Sequence, residues 1–389
     1  MKILRIINRF NLGGPTYNAG YLTKLMGEDC ETRLIGGSPL PEEAHSGFIL
    51  DKIGVQYEEL HEMSRAVNPF QDFRAFLRIR KIIREFKPDI VHTHAAKAGV
   101  LGRLAARLEG VPVVIHTYHG HVFSGYFGKR KSNIIKAIER WLAKRSDAII
   151  TISKAQFEDI VHVHRICAHN KAHVIPLGFD LSRFTIDQEK KRTHFRERFG
   201  IAPDIIAVGI VGRFAPVKNH QLFFETIKIL MERGVSFKAI VIGDGSDAVH
   251  WKNWVQTHLK DRAGDVVFTS WIQEMDEAMA ALDIVVLTSL NEGTPVSLIE
   301  AQAASRLVVS TPAGGVRDCM LDGESGIISK TFEATEFADT LQPLILSPEI
   351  QKRMGESGKQ FVMERFSHLR LVSDVRILYD ALLKYNKLL

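Results

Sequence analysis

Cysteine is scarce in this chain, three residues in 389. Cys30, Cys167 and Cys319 lie far apart, are odd in number and form no C-x-x-C. A disulfide framework and a zinc ribbon are thereby disfavoured, and a reducing cytoplasm is the expected compartment. Long hydrophobic runs are missing too: no apolar segment approaches the roughly 18 residues of a membrane-spanning helix. The opening Met1-Lys2-Ile3-Leu4-Arg5-Ile6-Ile7 is a short strand pattern interrupted by Arg5, without the long apolar core of a signal peptide. Low-complexity tracts and short-period repeats are absent. Neither G-x-G-x-x-G nor G-x-x-x-x-G-K occurs, so there is no full dinucleotide fingerprint and no P-loop.

What is present has the balance of a globular protein, 45% hydrophobic and 25% charged, with length enough for two or three domains. The net charge of +6 is unevenly spread. Residues 1–180 hold 26 Lys and Arg against 18 Asp and Glu, whereas the remainder holds 25 against 27. Within 65–145 the balance is 17 to 5. A patch of that sign suits an anionic membrane, an acidic substrate or nucleic acid, and equally a solubilising surface.

Strand patterns recur at 3–7, 90–92, 113–116, 148–152 and 173–176, and again at 205–211, 238–242, 266–268, 284–287 and 307–310. Helical patterns separate them, among them 17–26 and 99–108. The alternation implies an α/β protein of two doubly wound, Rossmann-like domains, with a cleft between them. The expected domains are 1–178 and 179–364, joined through a highly charged connection at 176–203. From about 365 to 389 the pattern is helical, with Val372, Val375, Leu378, Leu382 and Leu383 at helical spacing, and this helix is expected to pack back on the first domain.

The most informative segment is Asn291-Glu292-Gly293-Thr294-Pro295-Val296-Ser297-Leu298-Ile299-Glu300. It follows the apolar run 284–287, and Gly293 and Pro295 break the strand before a helix. Glu292 then sits in a loop at a strand's carboxyl end and Glu300 a turn or more into the next helix, at the edge where open α/β sheets bind ligands. Two carboxylates with helix-start backbone between them suit a ligand with hydroxyls at both ends and an anion in the middle, such as a nucleotide-sugar. A dipole-favoured Glu and a solvated helix Glu account for the pair as well.

Arg213 and Lys218, in Gly212-Arg213-Phe214-Ala215-Pro216-Val217-Lys218, also lie between a strand end and a helix start. Such cations can clamp a diphosphate and neutralise a leaving phosphate without a metal, or be ordinary loop charges. Gly13-Gly14-Pro15 opens the first helix, where backbone N–H groups can meet an anion or simply make a tight turn. Gly243-Asp244-Gly245 reads as a turn lining the nucleotide side, or as purely structural. The backbone of 268–272, ending at Ile272, can pair with a base edge, while Trp271 suits a core equally well.

His92 and His94 share one face of a strand, and His116, His119 and His121 follow the neighbouring strand. No cysteine or acidic pair completes a ligand set, so no metal is expected. His119, followed by Gly120, is the candidate to donate to hydroxyls or steady a developing charge. His162, His164, His169 and His173 read as surface or helix residues. Lys129-Arg130-Lys131 leads into a basic amphipathic helix to about 145, suited to an anionic membrane surface or to packing on the first sheet.

In this order the motifs resemble those of the retaining glycosyltransferases of family four, of the GT-B fold. The resemblance spans nearly the whole chain: Gly13-Gly14, His92-Thr93-His94, His119-Gly120, Ile152-Ser153-Lys154, the hinge from Pro176 to Asp180, Gly212-Arg213 with Lys218, Gly243-Asp244-Gly245, and Glu292 to Glu300. Leu177 stands where the family's hinge has Asn. The resemblance implies that Glu292 contacts the donor sugar near its C3 and C4 hydroxyls and that Glu300 binds the ribose. Arg213 and Lys218 would hold the diphosphate. The backbone of Gly14 and of Pro295 to Ser297 would line phosphate and sugar, with His119 beside the reacting sugar. No metal and no cofactor beyond the donor are implied.

The expected activity is retaining transfer of a hexose or N-acetylhexosamine from a nucleotide-diphosphate sugar, UDP-linked, to an acceptor hydroxyl in envelope or exported polysaccharide assembly. The expected partners are that donor, a glycan or lipid-linked acceptor and an anionic membrane surface, with no nucleic acid. The expected location is the cytoplasm, at the inner face of the membrane. A nucleotide-sugar epimerase of the same fold and a non-catalytic nucleotide-sugar-binding module are the rival readings.

Overall fold

The computed structural model describes residues 1–11, 14–39, 45–64, 66–120 and 129–388. The chain divides into two compact units, Met1–Phe179 with Phe366–Leu389, and Asp180–Arg365.

In the first unit β1 (Lys2–Ile7), β2 (Glu31–Gly37), β3 (Tyr57–Leu60), β4 (Ile90–His94), β5 (Val113–Tyr118), β6 (Ala148–Thr151) and β7 (Ala172–Val174) form one parallel sheet. Its order is β3-β2-β1-β4-β5-β6-β7. The order reverses between β1 and β4, whose register pairs Ile3 with Ile90 and Ile7 with His94. Side chains alternate between the two faces. Leu4, Ile6, Val91 and Val114 pack beneath the helices Pro69–Phe86 and Ala96–Leu108. On the other face Ile3, Ile90, Val113 and Ile115 meet Leu371, Val375 and Tyr379 of the last helix, His368–Leu388.

In the second unit β8 (Ala207–Val211), β9 (Lys238–Ile242), β10 (Val266–Ser270), β11 (Ile284–Leu287), β12 (Leu307–Ser310) and β13 (Gly326–Ile328) form a parallel sheet of order β10-β9-β8-β11-β12-β13. Here the switch point falls between β8 and β11. The core is apolar and aromatic: Phe223, Phe224, Phe237 and Phe337 are buried, and Trp251 stacks on Phe224 with centroids 4.8 Å apart. Both sheets therefore have the doubly wound order of Rossmann-like domains, the α/β architecture expected.

Three strands escaped the sequence pattern. β2 contributes only Leu34 and Ile35 as large apolar residues, β3 is Tyr57-Glu58-Glu59-Leu60 at the sheet edge, and β13 is three residues long. The stretch 176–203 is not simply a connection. It holds the helix Gln188–Arg198, whose Arg192 and Arg196 each approach Asp283 at 2.7 Å within the second unit. His164 is buried rather than at the surface, while His173 lies in β7. Among the described residues no helix is long and apolar enough to cross a membrane.

Candidate active site

At the carboxyl end of β8 the chain turns through Arg213 into a short 3-10 turn, Pro216–Lys218, and then the helix His220–Glu232. Arg213 is exposed and has no ion pair or hydrogen bond among the described residues. Next to it β11 ends, and Thr288 and Ser289 are buried. Thr288 Oγ1 donates to the Lys218 carbonyl at 2.9 Å, and the Leu290 N–H donates to the Val217 carbonyl at 2.8 Å, so the two loops are stitched together.

This brings Lys218 Nζ to 2.6 Å from Glu292 Oε1. Ser289 Oγ donates to the same oxygen at 2.6 Å. Both partners fall on Oε1, and Oε2 accepts no hydrogen bond among the described residues. Glu292 can therefore balance Lys218 and still accept from another group. Neither Ser289 nor Thr288 was singled out in the sequence; a small hydroxyl after an apolar strand is too common a pattern.

The loop Asn291–Pro295 leads into the helix Val296–Ala303. Pro295 at its start offers no side-chain cap, and the N–H groups of Gly293, Thr294, Val296 and Ser297 have no hydrogen-bond partner among the described residues. Gly293 is exposed and Thr294, Val296 and Ser297 are half-buried. Gly314 and Gly315, following β12, brace this loop from below. The Gly315 N–H donates to the Glu292 carbonyl at 2.8 Å, and a Cβ at Gly315 would meet the Gly293 carbonyl oxygen at 1.8 Å. Gly314 and Gly315 are the missed sequence signal, since a Gly-Gly after a buried strand marks close backbone approach.

Glu300 lies in the same helix, with Oε1 3.6 Å from Arg183. Burial pushes its carboxyl up to about 7, opposed by the Arg183 guanidinium and reinforced by Asp276. Gly243 has φ 142°, and a Cβ there would strike the Gly212 carbonyl oxygen at 2.0 Å. Its glycine is thus required to fit the β9 turn against the Arg213 loop. Ile272 is half-buried after β10, whereas Trp271 is 65% exposed and is not a core residue.

In the first unit, Gly14 begins the helix Gly14–Lys24, and a Cβ there would sit 3.3 Å from Leu177 Cδ1. Leu177, buried, fills the space beside that turn. Gly13 and His121 lie outside the described residues. His92, His94 and His116 are buried in the sheet, and burial holds all three well below the usual imidazole range. His92 bridges Tyr379 Oη at 2.6 Å and Thr117 Oγ1 at 2.7 Å. His94 Nδ1 lies 3.0 Å from His119 Nε2, and burial brings His119 down to about 4. The His119 ring is therefore neutral, fixed on one nitrogen, with Nδ1 lacking a partner among the described residues. Ala95, next in the chain, has φ 66° and ψ 172°, a region nearly reserved for glycine. Among the described residues no group of three or more His, Cys, Asp or Glu could hold a metal ion.

Residues 23–183 match the family model described as Glycosyltransferase Family 4, and residues 191–361 match Glycosyl transferases group 1. The chain belongs to these glycosyltransferases. The Escherichia coli UDP-Gal:alpha-D-GlcNAc-diphosphoundecaprenol alpha-1,3-galactosyltransferase is 28% identical, over 82% of this chain and 81% of its own length. A Staphylococcus aureus capsular polysaccharide biosynthesis glycosyltransferase, CapM, is 23% identical over 84% and 85%. Among solved structures, a glycosyltransferase from Rickettsia africae superposes with a TM-score of 0.81 at 19% identity, covering 98% of both chains. Anabaena HepE in complex with UDP gives 0.81 at 19% identity, covering 98% of this chain and 100% of that one. These likenesses place the fold of this glycosyltransferase as GT-B.

Proposed function

We propose that this glycosyltransferase moves a hexose or N-acetylhexosamine from a UDP-sugar to a hydroxyl of a lipid-linked glycan acceptor, with retention at the anomeric carbon. The observation that carries the reading is the Lys218–Glu292–Ser289 cluster beside Arg213, which has no partner among the described residues, and the helix start at Val296, which has no side-chain cap. Arg213, Lys218 and the free N–H groups offer donors to a diphosphate. Glu292 Oε2 accepts from sugar hydroxyls, and Glu300, four residues along the helix, accepts from the ribose diol. Ile272 and Gly243 border the base side. In the first unit, the helix-start backbone of Gly14 suits an anion and the neutral His119 ring can donate to a hydroxyl.

In the reaction the bond from the anomeric carbon to the β-phosphate oxygen breaks, its electron pair leaving on the diphosphate. The acceptor oxygen bonds to the anomeric carbon on the face the phosphate left, and its proton passes to the diphosphate. Charge grows on the leaving oxygens as the ring approaches an oxocarbenium ion, and Arg213 and Lys218 stabilise it there. The Escherichia coli relative, whose name specifies UDP-galactose and a diphosphoundecaprenol-linked acceptor, supports the choice of donor and acceptor class. The test is incubation of the full chain with a UDP-sugar panel and a polyprenyl-diphosphate-linked sugar, with the product's anomeric configuration read by NMR. An α-linked product from an α-linked donor is expected. An inverted product, or sugar isomerised without any acceptor, contradicts the reading.

A further inference from the structure

Two helices of the first unit carry apolar stripes on the side away from their own core. In Pro69–Phe86 the inward residues are Ala75, Ile79, Ile82, Ile83 and Phe86. On the opposite face, within about 60° on a 3.6-residue wheel, stand Phe70, Phe73 and Leu77, 71%, 59% and 44% exposed. In Lys129–Lys144, Leu142 and Ala143 are buried, while Ile134, Ile138 and Trp141 lie at helical spacing and are exposed. The second helix thus packs on its own unit and presents a second apolar face.

Both helices belong to one layer. Between them runs Ala96–Leu108: Glu109 at its end pairs with Arg80 at 2.5 Å and Arg84 at 2.7 Å, and Arg103 pairs with Glu139 at 2.6 Å in the interior. The acids of this region are therefore already engaged, Asp72 with Lys97 at 2.7 Å and Glu85 with Lys81 at 3.8 Å among them. The cations interleaved with the stripes are not: Arg74, Arg130, Lys131 and Arg145 have no carboxylate partner among the described residues. Arg74 lies over Phe70 and Arg145 over Trp141, at 6.0 and 4.0 Å from the ring centroids.

We infer that this layer is a docking surface for an anionic lipid bilayer, with Phe70, Phe73, Leu77, Ile134, Ile138 and Trp141 entering the interface and the four cations meeting lipid phosphates. Aliphatic and aromatic stripes flanked by unneutralised Arg and Lys fit a headgroup–acyl boundary. Nucleic acid would use the charge but not the Ile and Leu stripe. The surface deepens the reading of a lipid-linked acceptor and rests on it for its purpose, although vesicle binding is measurable apart from transfer.

The test is sedimentation of the full chain with vesicles of phosphatidylcholine, alone or with one part in three phosphatidylglycerol. Binding to the anionic vesicles only, reversed by high salt, is expected. Combined Arg74→Gln, Arg130→Gln, Lys131→Gln and Arg145→Gln should lower partitioning by about a hundredfold or more, from roughly fivefold per cation. Combined Phe70→Ser, Phe73→Ser, Leu77→Ser, Ile134→Ser, Ile138→Ser and Trp141→Ser should lower it at least tenfold with the melting temperature retained, since exposed positions contribute little to stability. Bilayers with brominated acyl chains should quench a tryptophan component that Trp141→Phe removes. Both combined variants should still hydrolyse UDP-sugar at the wild-type rate. Vesicle binding that persists in both overturns the inference whether or not the donor reading stands, as does wild-type binding of short RNA in place of vesicles.

Discussion

The two sheets share one strand order but differ in what they bury. The first encloses Arg5, His92, His94, His116 and the Arg103–Glu139 pair. Among the described residues Arg5 Nε and both terminal nitrogens have no hydrogen-bond partner, and its guanidinium rests 6.0 Å from the Tyr379 ring. The second encloses chiefly phenylalanine, valine and isoleucine beside the buried Arg196 on Asp283, and keeps Arg213, Lys218 and Glu292 in the loops after its strands and Glu300 within the helix that follows. A buried charge is costly unless its neighbours compensate it, so the first unit depends more on polar matching and the second more on volume. The same contrast separates candidate site residues displayed on a largely apolar scaffold from polar groups woven into the scaffold itself.

The sharpest way to break that contrast is Glu139→Ala. Glu139 accepts from Arg103 and from Tyr118 Oη, both at 2.6 Å and buried. Removing it strands a buried guanidinium and should cost about 3–5 kcal/mol in denaturant unfolding. Ile284→Val in the second core should cost only about 0.5–1.5 kcal/mol. Equal losses would show that the first unit is not held by its polar pairs.

Lys218→Ala and Arg213→Ala should each reduce kcat by about 10²–10³, the effect of removing one donor to a developing oxyanion, with little change in melting temperature. Near-normal turnover in both would remove the clamp. A smaller effect is expected with pH. Because burial raises Glu300 to about 7, the carboxylate proposed to accept from the ribose diol forms only as pH rises through that value. Donor affinity should therefore strengthen by up to about tenfold from about pH 6 to about pH 8, and Glu300→Gln should flatten the profile. A wild-type profile as flat as the variant's contradicts that role. The smallest effect is on the backbone: Ala95→Gly should raise stability by about 1 kcal/mol, because glycine adopts φ 66° without strain. A loss of stability there would mean that the flexibility added to the unfolded chain outweighs the strain removed.

The same difference explains what the sequence disclosed. Long apolar strands flanked by glycine and helix patterns, as at 284–287, revealed the α/β alternation and located Glu292 and Glu300 on their loop and helix. Edge strands such as β3, half charged and four residues long, carry no such pattern. In the second unit the charged residues stand beside strand ends, where position along the chain reports position on the sheet. In the first, His92 and His94 sit inside the sheet, so spacing gave a shared face but not the Tyr379 contact, which joins residues 287 positions apart. The Lys218–Glu292 contact and the Gly315 brace are likewise tertiary, set by the adjacency of β8, β11 and β12.

Calorimetric titration of UDP into the full chain and into the Arg213→Ala/Lys218→Ala double variant tests the central assignment most directly. The account predicts saturable binding at one site, weakened by at least about tenfold per cation lost, as for hydrogen bonds to charged groups. Undiminished affinity in the double variant would contradict it.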